Sequence, residues 1–264
     1  MSKFATAAAR AAALAAAFAG AVLTAGHASA EPAKPTIVLV HGAFADSSSW
    51  NGVTKILQKD GYTVVAAANP LRSVTADAAY VADIVGAIEG PVVLVGHSYG
   101  GQVISTAANG QENVKSLVYV AAFASEEGEA VAELAAKFPG GTLGGALAAP
   151  VKLKDGGVDL SIDQTKFHQQ FAQDVDAADA ALMAAAQRPI TEGALTEKSG
   201  KPAWKTVPSY FIYGTGDRNV PAKALGFMAE RAGSKHTVVI DDASHVVMVS
   251  QPKAVAALIE EAAR

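Results

Sequence analysis

A serine that could act as a nucleophile stands at the centre of the run Gly96-His97-Ser98-Tyr99-Gly100. The apolar run at 91–95 before it is typical of a buried strand, and a helix is expected from Gln102 onward. The flanking glycines allow the backbone to turn so sharply that the Ser98 side chain projects above the sheet. This placement predicts nucleophilic catalysis by Ser98. The alternative is a glycine-rich turn with an inert serine.

A second motif could stabilise the negative charge that such a reaction develops. Attack on a carbonyl carbon produces an oxyanion, which needs two fixed hydrogen-bond donors. The residue after the nucleophile supplies one of them, here the backbone N–H of Tyr99. The predicted strand at 36–40 ends in His41-Gly42-Ala43-Phe44, and we expect the other donor from this loop.

These two motifs resemble those of the α/β-hydrolase superfamily, and the likeness covers nearly all of the chain from Thr36 onward. It is greatest to the small esterase and hydroxynitrile-lyase branch, in which the residue after His-Gly supplies the second oxyanion donor. The resemblance therefore implies Ala43 as that donor, with Phe44 as the alternative. His41 itself is interpreted as a structural histidine that holds the loop.

A serine hydroxyl is a poor nucleophile until a base takes its proton, and the sequence offers six histidines. His245 follows the last predicted strand and precedes the C-terminal helix, where members of the superfamily carry the base. The other five have other interpretations: the N-terminal segment for His27, motif loops for His41 and His97, a cap helix for His168 and a strand start for His236. We therefore predict His245 as the general base, against the alternative of a surface loop histidine.

The base needs an acid that holds its tautomer and stabilises its charged form. Asp217 lies in a glycine-rich turn after the predicted strand at 208–213, and this segment resembles the superfamily's acid loop. The chain order of nucleophile, acid and base is then the order expected for this fold. Asp241 and Asp242 are nearer to His245 in sequence, and we interpret them as turn residues.

Three phenylalanines are candidates for lining an apolar substrate pocket. Phe44 follows the His-Gly motif, and Phe167 and Phe171 are spaced to share one face of a predicted helix. We predict all three as substrate-binding residues. Packing against the scaffold explains the two helical phenylalanines equally well.

The elements that must position these residues follow from an alternation of apolar runs with helical patterns. Predicted strands occupy 36–40, 62–68, 91–95, 116–120, 208–213 and 236–240, and amphipathic helices are predicted at 48–59 and 75–89. Continuous apolar strands separated by helices favour a doubly wound, mostly parallel sheet that is covered on both faces. The fold class is therefore α/β.

The alternation stops after residue 122 and resumes near residue 208. Between them lie predicted helices at 126–137 and 163–187, a glycine-rich stretch at 139–145 and a hairpin-like stretch at 152–161. Such an insertion is expected to cover the carboxyl ends of the strands, where doubly wound sheets bind ligands. We predict one α/β-hydrolase domain at 31–264, with a small helical cap insertion at about 123–205.

Composition limits the possible partners. The chain has 264 residues, of which half are hydrophobic, so that one domain can bury a sizeable core. A formal net charge of −4 gives no reason to expect a nucleic-acid partner. The absence of cysteine excludes disulfides, thiolate metal sites and cysteine nucleophiles. We expect a small-molecule substrate, no metal and no cofactor; composition does not indicate an oligomeric state.

The N-terminus resembles a secretory signal peptide. Lys3 and Arg10 precede an alanine-rich run at 11–25, and Ala28-Ser29-Ala30 is typical of a cleavage site. We predict removal of residues 1–30 and a mature protein that is exported to the periplasm or secreted, without membrane association. The alternatives are a membrane anchor, for which the apolar run is shorter than the required ~20 residues, and an uncleaved helix.

The predicted reaction is hydrolysis of a carboxylic ester or related carbonyl compound through an acyl-enzyme. The same triad serves look-alikes that are hydroxynitrile lyases, carbon-carbon hydrolases and cofactor-free haloperoxidases, and the motifs do not separate these. The resemblance associates such a lyase with a lysine near the base, and the segment around His245 has none. A binding protein without turnover is less favoured, because the triad is complete. An epoxide hydrolase or dehalogenase would have an aspartate in place of Ser98.

Overall fold

The computed structural model describes residues 33–264, so the predicted signal peptide lies outside the described residues. The strands are β1 Thr36–Val40, β2 Val64–Ala67, β3 Val92–His97, β4 Val114–Val120, β5 Val151–Lys152, β6 Val158–Leu160, β7 Ile190–Thr191, β8 Ser209–Gly214 and β9 Thr237–Ile240. Six of them form a parallel sheet in the order β2-β1-β3-β4-β8-β9. All six predicted strands are present, and the predicted fold class is confirmed.

Helices cover both faces of this sheet. They are α1 Asn51–Lys59, α2 Val74–Gly86, α3 Gly100–Ala107, α4 Val131–Ala136, α5 Gln164–Phe171, α6 Ala177–Ala186, α7 Glu192–Thr196, α8 Ala222–Arg231, α9 Val247–Ser250 and α10 Pro252–Ala262. Helix α1 packs against α10, and α2 packs against α3. Among the described residues, no helix has the length and apolar character that a membrane crossing requires.

The strand order places the functional motifs at one point of the sheet. From β1 the chain passes to β2 on one side and then to β3 on the other, and Val40 in β1 pairs with both Ala67 and Gly96. Every residue of β3 is buried, as expected for a central strand with helices on both faces. The carboxyl ends of β1 and β3 therefore border the crevice where such sheets bind ligands.

The insertion between β4 and β8 differs in detail from the predicted helical cap. The helix predicted at 126–137 is reduced to α4, because Gly128 has a φ of 82° that does not fit a right-handed helix. The helix predicted at 163–187 is two helices, and Asp176 caps the second by accepting a hydrogen bond from the Ala178 N–H at 2.9 Å. The hairpin-like stretch forms β5 and β6, to which β7 adds a third antiparallel strand.

Candidate active site

Ser98 lies in a strained turn between β3 and α3. Its φ is 52°, in the left-handed region that non-glycine residues rarely adopt. The neighbouring glycines are required by close backbone approach: a Cβ on Gly96 would lie 2.6 Å from the Gly100 carbonyl oxygen, and one on Gly100 would lie 2.5 Å from that of Val40. The close packing around the turn thus holds Ser98 in its strained conformation, and strain of this kind is typical of functional sites.

A cavity of about 410 Å³ opens above this turn. Ser98 is 7% exposed and lines the cavity together with Tyr99, Ala43 and His245. The wall opposite the sheet comes largely from the insertion, through Val131, Ala132, Ala135, Ala136, Gly141, Leu143, Gly144, Leu147 and Leu195. Sequence reasoning missed this wall, since short side chains in an alanine-rich helix carry no chemical signal.

Asp217 and His245 form a buried pair. Asp217 Oδ1 accepts hydrogen bonds from the backbone N–H groups of Asn219 and Val220 at 2.8 and 2.9 Å. Its other oxygen, Oδ2, lies 2.6 Å from His245 Nδ1, which donates to it. These bonds hold the carboxylate in one orientation, so the second ring nitrogen, Nε2, is the one left for proton transfer.

The turn that carries Asp217 packs directly on the loop that carries His245. A Cβ on Gly216 would lie 2.6 Å from the carbonyl oxygen of Asp242, and the Gly216 N–H donates to the Ala243 carbonyl at 3.1 Å. Asp241 and Asp242 are exposed, and the Asp242 N–H bonds to Thr215 Oγ1. The structure therefore pairs His245 with Asp217 and leaves the two nearer aspartates in the turn.

Ser98 and His245 border the same cavity, but the hydrogen bonds of residues 33–264 include none between these two side chains. Catalytic hydrogen bonds are often long without substrate and tighten in the complex. The arrangement is therefore compatible with proton transfer from the serine to the histidine.

The backbone donors distinguish the two candidates for the oxyanion loop. The Phe44 N–H donates to the Arg188 carbonyl at 3.1 Å, so this donor is already engaged. In the described part of the chain, neither Ala43 N nor Tyr99 N has a hydrogen-bond acceptor, although both residues line the cavity. The structure favours Ala43 over Phe44 as the second donor.

His97 connects the loop after β1 to the backbone of His245. Its Nδ1 accepts from the Gly42 N–H at 3.4 Å, and its Nε2 donates to the His245 carbonyl at 3.1 Å. Burial lowers the pKa of His97 well below its ordinary value, and the nearby His245 lowers it further. The neutral ring thus donates on one side and accepts on the other.

His41 is also a buried neutral histidine. Burial lowers its pKa to about 4. Its Nδ1 donates to the Gly42 carbonyl at 3.0 Å, and Asn69 Nδ2 donates to the His41 backbone carbonyl at 2.9 Å. These contacts fit the interpretation of a residue that holds the loop.

Tyr99 has a buried partner that the sequence analysis did not identify. Its hydroxyl donates to Asp77 Oδ2 at 2.9 Å, which anchors the start of α3 to α2. Burial raises the pKa of both groups. The backbone N–H of Tyr99 is thereby held beside Ser98.

The structure corrects the expectation for two of the three phenylalanines. Phe44 lines the cavity, whereas Phe167 and Phe171 are fully buried and are absent from the described cavity wall. The Phe171 ring centroid lies 5.2 Å from that of His245 and 4.9 Å from that of Phe167. The helix face they share points into the core behind the base, because burial of two large rings favours that location.

The remaining histidines lie apart from the cavity. His168 Nε2 lies 2.9 Å from the Val175 carbonyl in the insertion, and exposed His236 pairs with Glu261 at 2.8 Å. His27 is outside the described residues. Within residues 33–264, no group of three or more histidine, aspartate or glutamate side chains is arranged to hold a metal ion.

A model of the alpha/beta hydrolase family matches residues 37–258. The chain is similar to an alpha/beta hydrolase, nvfD, from Aspergillus novofumigatus, with 26% identity over 252 residues that cover 87% of this chain and 97% of the relative. It is also similar to a carbendazim hydrolyzing esterase from Nocardioides sp., with 33% identity over 114 residues, or 38% of this chain and 47% of that protein.

Among solved structures, polyneuridine aldehyde esterase has a similar fold. The TM-score is 0.75 at 18% sequence identity, and the alignment covers 87% of this chain and 99% of the other. At this identity the likeness concerns the fold alone.

Proposed function

The chain belongs to the alpha/beta hydrolase family and is a hydrolase, and we propose that it cleaves carboxylic esters with Ser98, His245 and Asp217 as its catalytic triad. The predicted family is confirmed by the match over residues 37–258. The roles of the three residues, the acyl-enzyme and the choice of esters are the proposal.

One observation carries the proposal. His245, whose Nδ1 lies 2.6 Å from the buried Asp217 Oδ2, borders the same cavity as Ser98 in its strained turn. Two backbone N–H groups without acceptors among the described residues, those of Ala43 and Tyr99, border that cavity as well. Residues suited to act as nucleophile, base and oxyanion donors thus border one opening, and Asp217 lies behind the base, where it can orient the ring.

The reaction follows from these positions. His245 Nε2 takes the Ser98 proton while Oγ attacks the ester carbonyl carbon, and the Ala43 and Tyr99 N–H groups bind the resulting oxyanion. His245 then gives the proton to the leaving alcohol as the C–O bond breaks, which produces an acyl-serine. Water, deprotonated by the same histidine, attacks the acyl group and releases the acid and free Ser98.

The cavity favours an uncharged, apolar substrate. Among the described lining residues, the polar side chains are those of Ser98, Tyr99, Asn219 and His245, and the others are apolar or glycine. A charged substrate group would lose its hydration there without a countercharge. The names of two similar proteins, both called esterases, also support an ester substrate.

The lyase alternative is not favoured. The resemblance associates that activity with a lysine near the base, and no lysine lines the cavity in the described part of the chain. Lys205 is likewise absent from the cavity lining and pairs with Glu126 at 2.6 Å.

The test is hydrolysis of p-nitrophenyl esters by the wild-type protein, Ser98→Ala and a matched control, Ser161→Ala. Ser161 is remote from the triad and borders a different surface cavity. We expect turnover and fluorophosphonate labelling for the wild type and Ser161→Ala, and loss of both for Ser98→Ala. Turnover that persists in Ser98→Ala contradicts the proposal.

We also propose that residues 31–264 are exported after cleavage behind Ala30. The cap insertion of this domain is proposed to span about residues 123–205. The support is the sequence of the N-terminal segment, with Lys3 and Arg10 before an alanine-rich run. The full-length chain is expressed in a bacterium, and the cells are separated into cytoplasmic, periplasmic and medium fractions. The intact mass of the protein in each fraction is then measured. A periplasmic or secreted product that begins at Glu31 is expected, and a product that retains residues 1–30 contradicts the proposal.

A further inference from the structure

A second cavity lies beside the active-site cavity. It has a volume of about 370 Å³ and lies between the segment 44–52 and helix α6 of the insertion. The active-site cavity has a volume of about 410 Å³. Among the described lining residues of the two cavities, only Phe44 belongs to both.

The Phe44 side chain is held firmly at this boundary. Its φ of 61° and its N–H bond to the Arg188 carbonyl determine the direction in which the side chain leaves the backbone. The ring is 3% exposed, and its centroid lies 6.3 Å from that of Phe171 in an edge-to-face contact. Phe171 in turn contacts the ring of His245. The ring is thus packed from the side of the base, which leaves it little freedom to swing out of the boundary.

We propose that Phe44 is a specificity-determining residue: its ring separates the active-site cavity from the second cavity and limits the size of the ester that can bind. This inference rests on the proposed ester hydrolysis. In the wild type, the substrate class is esters whose apolar part fits the first cavity alone.

One side of the second cavity is apolar and could receive the end of an extended apolar group once the ring is removed. On the side of α6 it is lined by Leu182, Met183 and Ala186, and Val249 contributes from α9. The rest of its lining includes the polar side chains of Asp46, Ser48, Ser49, Asn51, Asp179 and Gln187. Replacement of the Phe44 ring by a methyl group would join the two cavities and add apolar volume within reach of Ser98. Each methylene group of the ester that becomes buried in the joined cavity is expected to raise kcat/KM on the order of tenfold.

The experiment compares kcat/KM for p-nitrophenyl esters of graded acyl length in the wild type, Phe44→Ala and Phe44→Leu. The quantity compared is the ratio of kcat/KM for long esters to kcat/KM for short esters. A small shift of the neighbouring Ala43 N–H would affect both esters equally and would leave this ratio unchanged. We expect the ratio to rise on the order of tenfold or more in Phe44→Ala and less in Phe44→Leu. Thermal unfolding shows whether each variant is folded. If Phe44→Ala does not fold, the selectivity ratio of Phe44→Leu is used in its place.

A second substitution tests whether the gain comes from the second cavity. Ala186→Trp, at the exposed end of α6, places a large side chain where the second cavity lies. Alone it should leave the ratio unchanged; combined with Phe44→Ala it should cancel the gain. An unchanged ratio in a folded Phe44→Ala that still hydrolyses short esters overturns the inference, as does a gain that survives in the double variant. Turnover independent of Ser98 would instead overturn the proposed function.

Discussion

The two walls of the active-site cavity are held in different ways. On the sheet side, Ser98, Tyr99 and His245 are positioned by backbone hydrogen bonds, by buried side-chain partners and by glycines that contact neighbouring backbone. On the insertion side, the wall consists mostly of alanine, glycine, valine and leucine, whose only contribution is their volume.

This difference separates chemistry from selectivity. If the proposed roles hold, a substitution that displaces Ser98, Tyr99 or His245, or that removes the partner of one of them, should lower kcat for every ester. A substitution on the insertion wall changes only the available space, so it should alter which esters bind and leave short ones unaffected. Four predictions test this comparison.

The largest effect is expected for Asp217→Asn. In this variant no carboxylate accepts the hydrogen bond from His245 Nδ1. The ring is then no longer held in the tautomer that leaves Nε2 free to take a proton. We expect kcat to fall on the order of 10⁴-fold for all esters, measured by steady-state kinetics. Asp241→Asn, at an exposed position of the same loop region, is the control and should remain near wild type. A loss of less than tenfold in Asp217→Asn would show that Asp217 is not the residue that orients His245.

The close packing of the acid turn on the base loop should make Gly216→Ala strongly destabilising. The new Cβ would lie 2.6 Å from the Asp242 carbonyl oxygen and 3.1 Å from that of Ala243. We expect a loss of about 3 kcal/mol in the free energy of unfolding, measured by urea denaturation, together with lower kcat. Gly200→Ala is the matched control, because no atom lies within 4 Å of its added Cβ. Equal stability of the two variants would mean that the turn tolerates displacement.

The buried histidines behind the sheet wall, His41 and His97, predict a loss of stability in acid. His41 has a folded-state pKa of about 4, below the ordinary 6.5 that applies to the unfolded chain. As the pH falls below 6.5, His41 becomes protonated in the unfolded chain but stays neutral in the folded protein. The free energy of unfolding therefore decreases until about pH 4, where the folded protein is protonated as well. His97 acts in the same direction. We expect His41 alone to account for a loss of about 1.5 kcal/mol between pH 6.5 and 5.

Urea denaturation at several pH values measures this slope. His41→Gln removes the titrating group, and its stability should vary less with pH than that of the wild type. The comparison uses the slope, since the substitution also changes the stability at neutral pH. An identical slope in both proteins would contradict the expected role of His41.

The smallest effect is expected on the insertion wall. Ala135→Leu adds volume to the α4 side of the cavity. We expect kcat/KM for long-chain esters to fall about tenfold, with short esters and stability nearly unchanged. Ala185→Leu makes the same change at an exposed position of α6 and serves as the control. An equal loss for short and long esters would remove the distinction between the two walls.

The parts that sequence analysis predicted well are local in the chain. The β-branched runs indicated the strands, and the spacing of Gly96, Ser98 and Gly100 indicated the turn, because backbone conformation over five residues depends on the residues themselves. The parts that it predicted poorly depend on distant neighbours. Phe167 and Phe171 share a helix face as expected, but only their packing against His245 shows that this face points into the core.

By itself, therefore, the sequence determined the order of strands and helices, the strained turn at Ser98 and a short list of acids and bases. Only the tertiary structure decided which members of that list meet: Asp217 rather than Asp241 at His245, Ala43 rather than Phe44 as the free donor, and Asp77 beneath Tyr99. The physical reason is that hydrogen bonds and cavity walls join residues far apart in the chain, and their pairing is set by how the layers pack.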